Sequence, residues 1–209
     1  MALTSKSSPR REQVLGEATR LFAHNGFQGT SVRGIASACG ISEAAIYRHF
    51  EGKEDLYKSA IHRKAEAHDI AGHLEGLNGR DTVADVLGGI AEHILSYLDE
   101  DPELLGLMFN NSCEHGPVAA VLFKEVRLPY IEYLAGELKQ RIASGEVREV
   151  DPFITARCFV GMVMDCALSV DVWRKVIEFD FHAKDVIANN VPIFARGLVK
   201  ETGVSDGRH

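Results

Sequence analysis

The chain lacks the marks of several large protein classes. Its four cysteines (Cys39, Cys113, Cys158 and Cys166) form no CxxC pair and no dense framework, so no disulfide scaffold is expected and the thiols are read as reduced. No apolar run reaches the roughly 18 residues that a membrane helix needs. The start, MALTSKSSPRR, has no apolar signal core. A cytoplasmic location with no membrane partner is therefore expected. Alternating apolar and polar runs of the strand kind are absent, as are Asn-Gly or Asp-Gly turns between such runs. No GxGxxG, P-loop or GxSxG pattern occurs, so no catalytic residue, enzyme activity or cofactor is predicted. His62, His68, His73 and His93 do not reach an HExxH or i,i+4 arrangement, and Cys113-Glu114-His115 is a loop tripeptide without a partner. The expectation is scattered surface histidines and no metal.

The charge that is present is unevenly spread. The net charge is −7, which by itself argues against a nucleic-acid partner. Residues 1–65, however, hold ten basic and six acidic residues, whereas the remainder holds 13 basic and 24 acidic. A basic head on an acidic body can lay one end on phosphate and hold the other away.

Periodicity makes nearly the whole chain helical. Val14, Leu15, Ala18, Leu21 and Phe22 recur at 3–4 spacing over Arg10–Asn25, and Gly26 ends that helix. Thr30 or Ser31 caps a short helix to about Cys39, Gly40 turns the chain, and Ser42 caps another. Lys53 opens a long helix to roughly His73. Asp81 and Asp101 are expected as caps, the latter followed by Pro102 at the first helical position. Later helices run from the Gly116-Pro117 break to about Ser144, from Asp151-Pro152 to about Trp173, and from His182 to Lys200. Pro129, inside one of these, should kink it and free the carbonyl of Glu125.

The informative segment is SVRGIASACGISEAAIYRHF, residues 31–50. Ala36, Gly40 and Ile46 fall at helix-turn-helix spacing. A small residue lets the helices approach, a glycine takes φ > 0 at the turn, and Ile35, Ile41 and Ile46 bury the junction. The second helix then presents Ser42, Ala44, Ala45, Tyr47, Arg48 and His49 outward. On this segment alone, a surface helical hairpin with no ligand is an equal reading.

Its surroundings decide the matter. From Arg11 to Leu56 the chain closely resembles the DNA-binding domain of the TetR family. The resemblance rests on Ala18, Leu21-Phe22, Gly26-Phe27, Thr30-Ser31-Val32, Ile35-Ala36, Gly40-Ile41-Ser42, Ile46-Tyr47, His49-Phe50, Lys53 and Leu56. It implies an all-α fold, with a three-helix DNA-binding domain at residues 9–55 and a helical effector-binding and dimerisation domain at 56–201. It also implies a cytoplasmic homodimeric repressor, released from a palindromic double-stranded operator by an unknown small-molecule effector. Tyr47 and His49 would then touch phosphate, and Thr30, Ser31 and Arg33 would meet the DNA backbone. Lys53 would add an ammonium at a helix N-terminus. Ser42, Ala44, Ala45 and Arg48 would face the bases, Arg48 being placed for guanine or for a phosphate. Arg10 and Arg11 either join these contacts or form a solvated basic tail. A helical enzyme or carrier that kept such a head would show turnover without DNA binding. A scaffold whose helix-turn-helix binds protein would be argued against by binding to random DNA that is lost at raised salt, because phosphate contacts make affinity salt-sensitive.

The body carries apolar surface to spare. FVGMVMDCALSVDVW, residues 159–173, is apolar on nearly every face and has to be buried all round. The last helix bears two apolar stripes, Ala183/Val186/Asn190/Ile193/Gly197 and Ile187/Val191/Phe194/Leu198. One is expected to face the core and one, assigned to Ile187, Val191, Phe194 and Leu198, a second copy. The resemblance implies that these two helices pair with their symmetry mates; burial within one subunit is the alternative. An effector pocket between the body helices has as candidate lining Leu105, Phe109, Phe123, Tyr130, Tyr133, Met162, Asp165, Cys166 and Trp173. Asp165, the one charge between Phe159 and Ser169, needs a partner subunit, a basic residue such as Arg157, or a ligand to compensate it.

Overall fold

The computed structural model describes residues 8–111, 117–168 and 182–200. Trp173 and the Cys113-Glu114-His115 tripeptide lie outside them. Helices account for most of the described chain: α1 (Pro9–Asn25), α2 (Val32–Ala38), α3 (Glu43–Ile46), α4 (Lys53–Ala67), α5 (Ile70–Glu75), α6 (Val83–Glu100), α7 (Pro102–Asn111), α8 (Pro117–Leu122), α9 (Leu128–Ser144), α10 (Pro152–Leu168) and α11 (Ala183–Leu198). A π-helical turn, Phe123–Arg127, joins α8 to α9. The only strand-like pairing among the described residues is a single antiparallel bridge, Val147 to Val199. The expected all-α class holds.

Most helix starts follow their caps. Ser8 accepts from the Arg11 amide, Ser31 from Gly34, and Asp151 from Ile154, each three residues on. Two expectations need correction. The cap of α6 is Thr82 rather than Asp81: Thr82 and Asp85 bond each other reciprocally, the Asp85 carboxylate accepting from the Thr82 amide at 3.1 Å and hydroxyl at 2.6 Å. The helix from Lys53 stops at Ala67 instead of reaching His73. Asp69 takes a left-handed φ of 44°, and the helix restarts at Ile70.

Two compact units result. One contains the described residues up to Ile70 together with those from Leu98 to Leu128. In it α1 packs on α4 and α7, and α4 on α8 and the π-turn. Its core includes Leu15, Phe22, Ile35, Ile46, Phe50, Leu56, Ile61, Leu104 and Val126. The other unit contains the described residues from Ala71 to Tyr97 and from Pro129 onward. Leu87, Ile90, Tyr130, Leu134, Phe159, Val163 and Leu198 are among its buried side chains, and α10 packs on α11.

The π-turn answers the expectation of a kink at Pro129. Proline offers no N–H to the Glu125 carbonyl and its ring crowds that oxygen. The preceding turn widens, with the Leu128 amide reaching back five residues to Phe123, and the helix continues.

A carboxylate ties α4 to α7. Asp101 caps α7 through the Leu104 amide at 3.0 Å, and its oxygens take Lys64 Nζ and His68 Nε2, both at 2.8 Å. Lys64 also reaches Glu103 at 2.7 Å. Burial pushes the Asp101 carboxyl up, but the bonds from Lys64, Leu104 and His68 outweigh it and hold the carboxyl below its ordinary value. His68 is thus bound at the point where α4 ends, and is no surface histidine. Because the folded carboxyl is the more acidic, the stability it contributes is present at neutral pH and is lost as pH falls through the lowered value. Asp101→Ala should destabilise this unit by about 3 kcal/mol at pH 7, since it leaves Lys64 and the α7 amides without their buried acceptor. Asp101→Asn should flatten the loss of stability below about pH 4. Urea titrations at several pH values check both.

Candidate nucleic-acid interface

The helix-turn-helix is built by a glycine turn. At the end of α2 the Ile41 amide bonds the Ala36 carbonyl at 3.0 Å, and the Gly40 amide bonds the Ser37 carbonyl at 3.1 Å. Gly40 has φ 65°. These are the two bonds of a Schellman motif, which demands a left-handed residue at this position. The chain therefore reverses within two residues of α2, and Ser42 starts α3 in extended conformation without spending its hydroxyl on a cap.

α3 is a single helical turn. Its continuation through Tyr47, Arg48 and His49 is held by bonds from Tyr47 to Glu43, His49 to Ile46 and Phe50 to Ile46 at 2.9–3.1 Å. Ile46 and Phe50 are buried at 0% and 2% exposure and root the turn in the core. Ser42, Ala44, Tyr47, Arg48 and His49 are exposed, Ala45 half so. Tyr47 stands 53% exposed, unusual for an aromatic ring with an apolar core beside it. The six residues expected to face DNA thus come together on one surface.

The flanking positions divide. Ser31 and Arg33 are exposed at the start of α2. The Ser31 oxygen caps the helix through Gly34, which leaves its proton to donate. Thr30 does not join them. It is 4% exposed, and its hydroxyl donates into the end of α1, 2.8 Å from the Gly26 carbonyl and 3.1 Å from that of Leu21. Its one proton is used there, so Thr30 fixes the corner between α1 and α2 rather than offering a side chain to DNA. Lys53 is half-buried at the start of α4, its ammonium 4.2 Å above the Phe27 ring. The Arg11 guanidinium likewise lies 4.9 Å over the Phe50 ring, and neither pairing follows from spacing along the chain.

The candidate effector lining is distributed between the units. Leu105 is buried, Phe109 exposed and Phe123 half-buried in the first. Tyr130 is buried, Tyr133, Met162 and Cys166 half-buried, and Asp165 exposed in the second. Asp165 therefore needs no compensating charge within this chain. Its negative charge adds to burial in holding the Cys166 thiol up.

Around Tyr130 lies a polar cluster missed by the sequence reading. The Tyr130 hydroxyl is 2.7 Å from His93 Nδ1, the rings of His93 and His73 stack at 3.8 Å, and Tyr97 faces Tyr130 at 6.5 Å. His73 donates from Nε2 to the Gly89 carbonyl at 3.1 Å. Burial, then neighbouring Tyr97, pushes the Tyr130 phenol far up. His73 and His93 are thus half-buried and engaged with neighbouring groups, rather than scattered on the surface. The Tyr133 hydroxyl is buried without a hydrogen-bond partner among the described residues.

On the last helix the apolar stripes do not divide into a core side and a partner side as expected, since Val186 of one and Val191 and Leu198 of the other are all buried. Val191 and Leu198 are 7% and 3% exposed, and Phe194 meets Phe159 at 5.1 Å between ring centres. The stripe assigned to a second copy thus packs on its own chain. Exposed instead are Ile193 at 63% and, on α10, Ile154 at 61%. With Arg148, Thr155, Cys158 and Gly197 they rim an open depression.

Comparison with known proteins places this geometry. Residues 14–60 match the family described as bacterial regulatory proteins, tetR family. The HTH-type transcriptional regulator UidR of Escherichia coli is 24% identical over 182 residues, covering 86% of this chain and 90% of its own. The fold is shared with the transcriptional regulator FadR from Bacillus subtilis, solved in complex with stearoyl-CoA (TM-score 0.74, 20% identity, 89% of this chain and 98% of that one). It is shared too with AibR, solved in complex with isovaleryl coenzyme A and operator DNA (TM-score 0.66, 21% identity, again 89% and 98%). Residues 14–60 thus match the TetR family of bacterial regulatory proteins, and over most of its length the chain is similar to HTH-type transcriptional regulators.

Proposed function

We propose that the chain is a cytoplasmic, homodimeric repressor that holds a palindromic operator and releases it when a small effector binds. The observation that carries the DNA-binding part is the exposed turn Ser42–His49 standing on buried Ile46 and Phe50. Residues 9–55 would act as the reading head and 56–201 as the effector and dimerisation part. Ser31, Arg33, Tyr47, His49 and Lys53 would position the head on phosphate, and Ser42, Ala44, Ala45 and Arg48 would meet base edges.

Replacing Tyr47 or Arg48 by Ala should abolish operator binding while leaving the dimer intact. Arg48→Ala should also relax preference at one base pair per half-site, a loss of about 1–3 kcal/mol in discrimination. Equal weakening on every sequence assigns Arg48 to phosphate. Binding of a randomised operator library, followed by sequencing, separates the two.

Exposed Ile193 and Ile154 support a two-fold seam on α10 and α11, in which a second copy covers the open depression. Ile193→Glu should give folded monomers by sedimentation, with weakened operator binding because two linked heads gain effective concentration. Val191→Glu, at a core position, should instead lower the melting temperature.

Effector binding is supported by the polar cluster around Tyr130 and by the buried Tyr133 hydroxyl, whose missing bond a ligand can supply. Two solved neighbours hold acyl-CoA molecules, so a fatty acyl-CoA is the first effector to test. A ligand that lowers operator affinity 10–100-fold must lose about the same factor in its own affinity when operator is present. Calorimetric titration with and without operator DNA measures both sides of that linkage. Equal affinities exclude the compound as the releasing effector.

A further inference from the structure

Among the basic residues of the first unit, two contrasting sets stand out. Arg20 and Arg63 are paired with Glu17 and Glu12, and Lys64 with Asp101 and Glu103. Those charges are paired with carboxylates of the same chain. Arg11 and Lys53 differ: among the described residues neither meets a carboxylate, and each lies over an aromatic face. Neither ring is incidental. Phe50 is buried at 2% exposure and ends the recognition turn. Phe27 is buried and belongs to a three-ring cluster, 6.0 Å from Phe22 and 5.3 Å from Tyr57.

A carboxylate partner would cancel a cation and occupy its N–H groups. A ring face does neither. It fixes the position of the charge through the ring quadrupole and leaves the donors in or above its plane open to another acceptor. At Lys53 the ammonium has to supply the attraction to phosphate itself, because Glu54 and Asp55 already place negative charge in the first turn of α4. Arg10, beside Arg11, is engaged differently: it bonds Gln13 at 2.9 Å and has no ring beneath it.

Resting on the reading that this head binds DNA, we propose that Arg11 is a phosphate-contacting residue held in position by the Phe50 ring. It matches Lys53 on Phe27, and the two rings serve as seats that pre-order cations next to the recognition turn. This places α1 in the DNA interface and gives Phe50 a second role besides closing the core. The ring holds the guanidinium before DNA arrives, so less side-chain freedom is lost on binding.

The test uses the full chain and random-sequence duplex DNA, read by fluorescence anisotropy between about 50 and 200 mM salt. Arg11→Gln should reduce the slope of log affinity against log salt by about 0.9 for each bound head, about 1.8 for the proposed dimer, the value for one lost phosphate contact per head. Arg11→Lys, which keeps a cation over the ring, should preserve the slope. Phe50→Leu keeps an apolar side chain and removes the ring face. It should weaken binding about two- to fivefold, and the double variant with Arg11→Gln should bind no worse than Arg11→Gln alone. Melting temperatures run beside these measurements identify variants that lose the fold, and for Phe50→Leu the milder Phe50→Tyr, which keeps a ring, should then restore binding. An Arg11→Gln protein with wild-type slope and affinity and a lowered melting temperature would overturn the proposal, making the ring contact purely structural. A wild type without salt-sensitive binding to any duplex overturns the DNA reading itself, a result distinct from the failure of Arg11 alone.

Discussion

A helix of four residues cannot hold itself. Nucleating a turn fixes several dihedrals for one hydrogen bond, so an isolated α3 would be unfolded in water. Everything this head can present to a groove therefore depends on burial of Ile46 and Phe50 and on the glycine turn that delivers Ser42. Ile46 sits one residue before the exposed Tyr47, and Phe50 one residue after His49. The reading surface is thus bracketed by its own anchors. Small displacements of that core would move all the exposed side chains together, which is what a rigid reading element requires.

The core that anchors α3 is in turn held from α7. Gly106 brings α7 so close to α1 that a Cβ there would lie 2.7 Å from the Ala23 carbonyl, and Asn110 donates to that same oxygen at 2.8 Å. At the other end of α7, Asp101 takes Lys64 and His68 from the last turn and cap of α4. One short helix thus grips α1 through its C-terminal half and α4 through its N-terminal cap. The compact unit that contains the head includes this helix for that reason. A shift of α7 cannot leave both head helices where they are, so α7 is where a mechanical signal to the head has least freedom to dissipate.

How much of this was legible in the sequence depends on the range of the interaction. The glycine turn, the outward set from Ser42 to His49 and the caps at Ser31, Asp101 and Asp151 follow from contacts within a few residues, and the structure shows them. The end of α4 is not legible from periodicity: the chain breaks at a left-handed Asp69, beside a His68 held by Asp101, 33 residues away. Thr30 is equally ambiguous, because an exposed and an inward hydroxyl look alike in sequence; its acceptors are carbonyls at the C-terminal end of α1. On α11 both stripes are apolar, and periodicity cannot say which one meets α10. His73 and His93 fit no metal spacing, yet stacking needs none: it requires only that α5 and α6 bring two rings together.

The composition of the reading surface sets how specificity can arise. Ala44 and Ala45 are too small to make directed bonds, so Ser42 and Arg48 are the hydrogen-bonding side chains among the expected base readers. With Arg48 on a guanine, one bidentate contact and a few methyl contacts per head would give modest discrimination at each half-site. In the proposed dimer, two heads at a fixed separation would multiply that discrimination, because both half-sites would have to match in sequence and in spacing at once. Affinity, by contrast, would come from the basic residues among positions 1–65, while the acidic remainder of the chain would repel DNA elsewhere. Such a division makes binding sensitive to whatever changes the distance between heads. In the proposed dimer, a ligand that shifts that distance need not touch the reading surface at all, since each half-site contact depends on the spacing of the two heads.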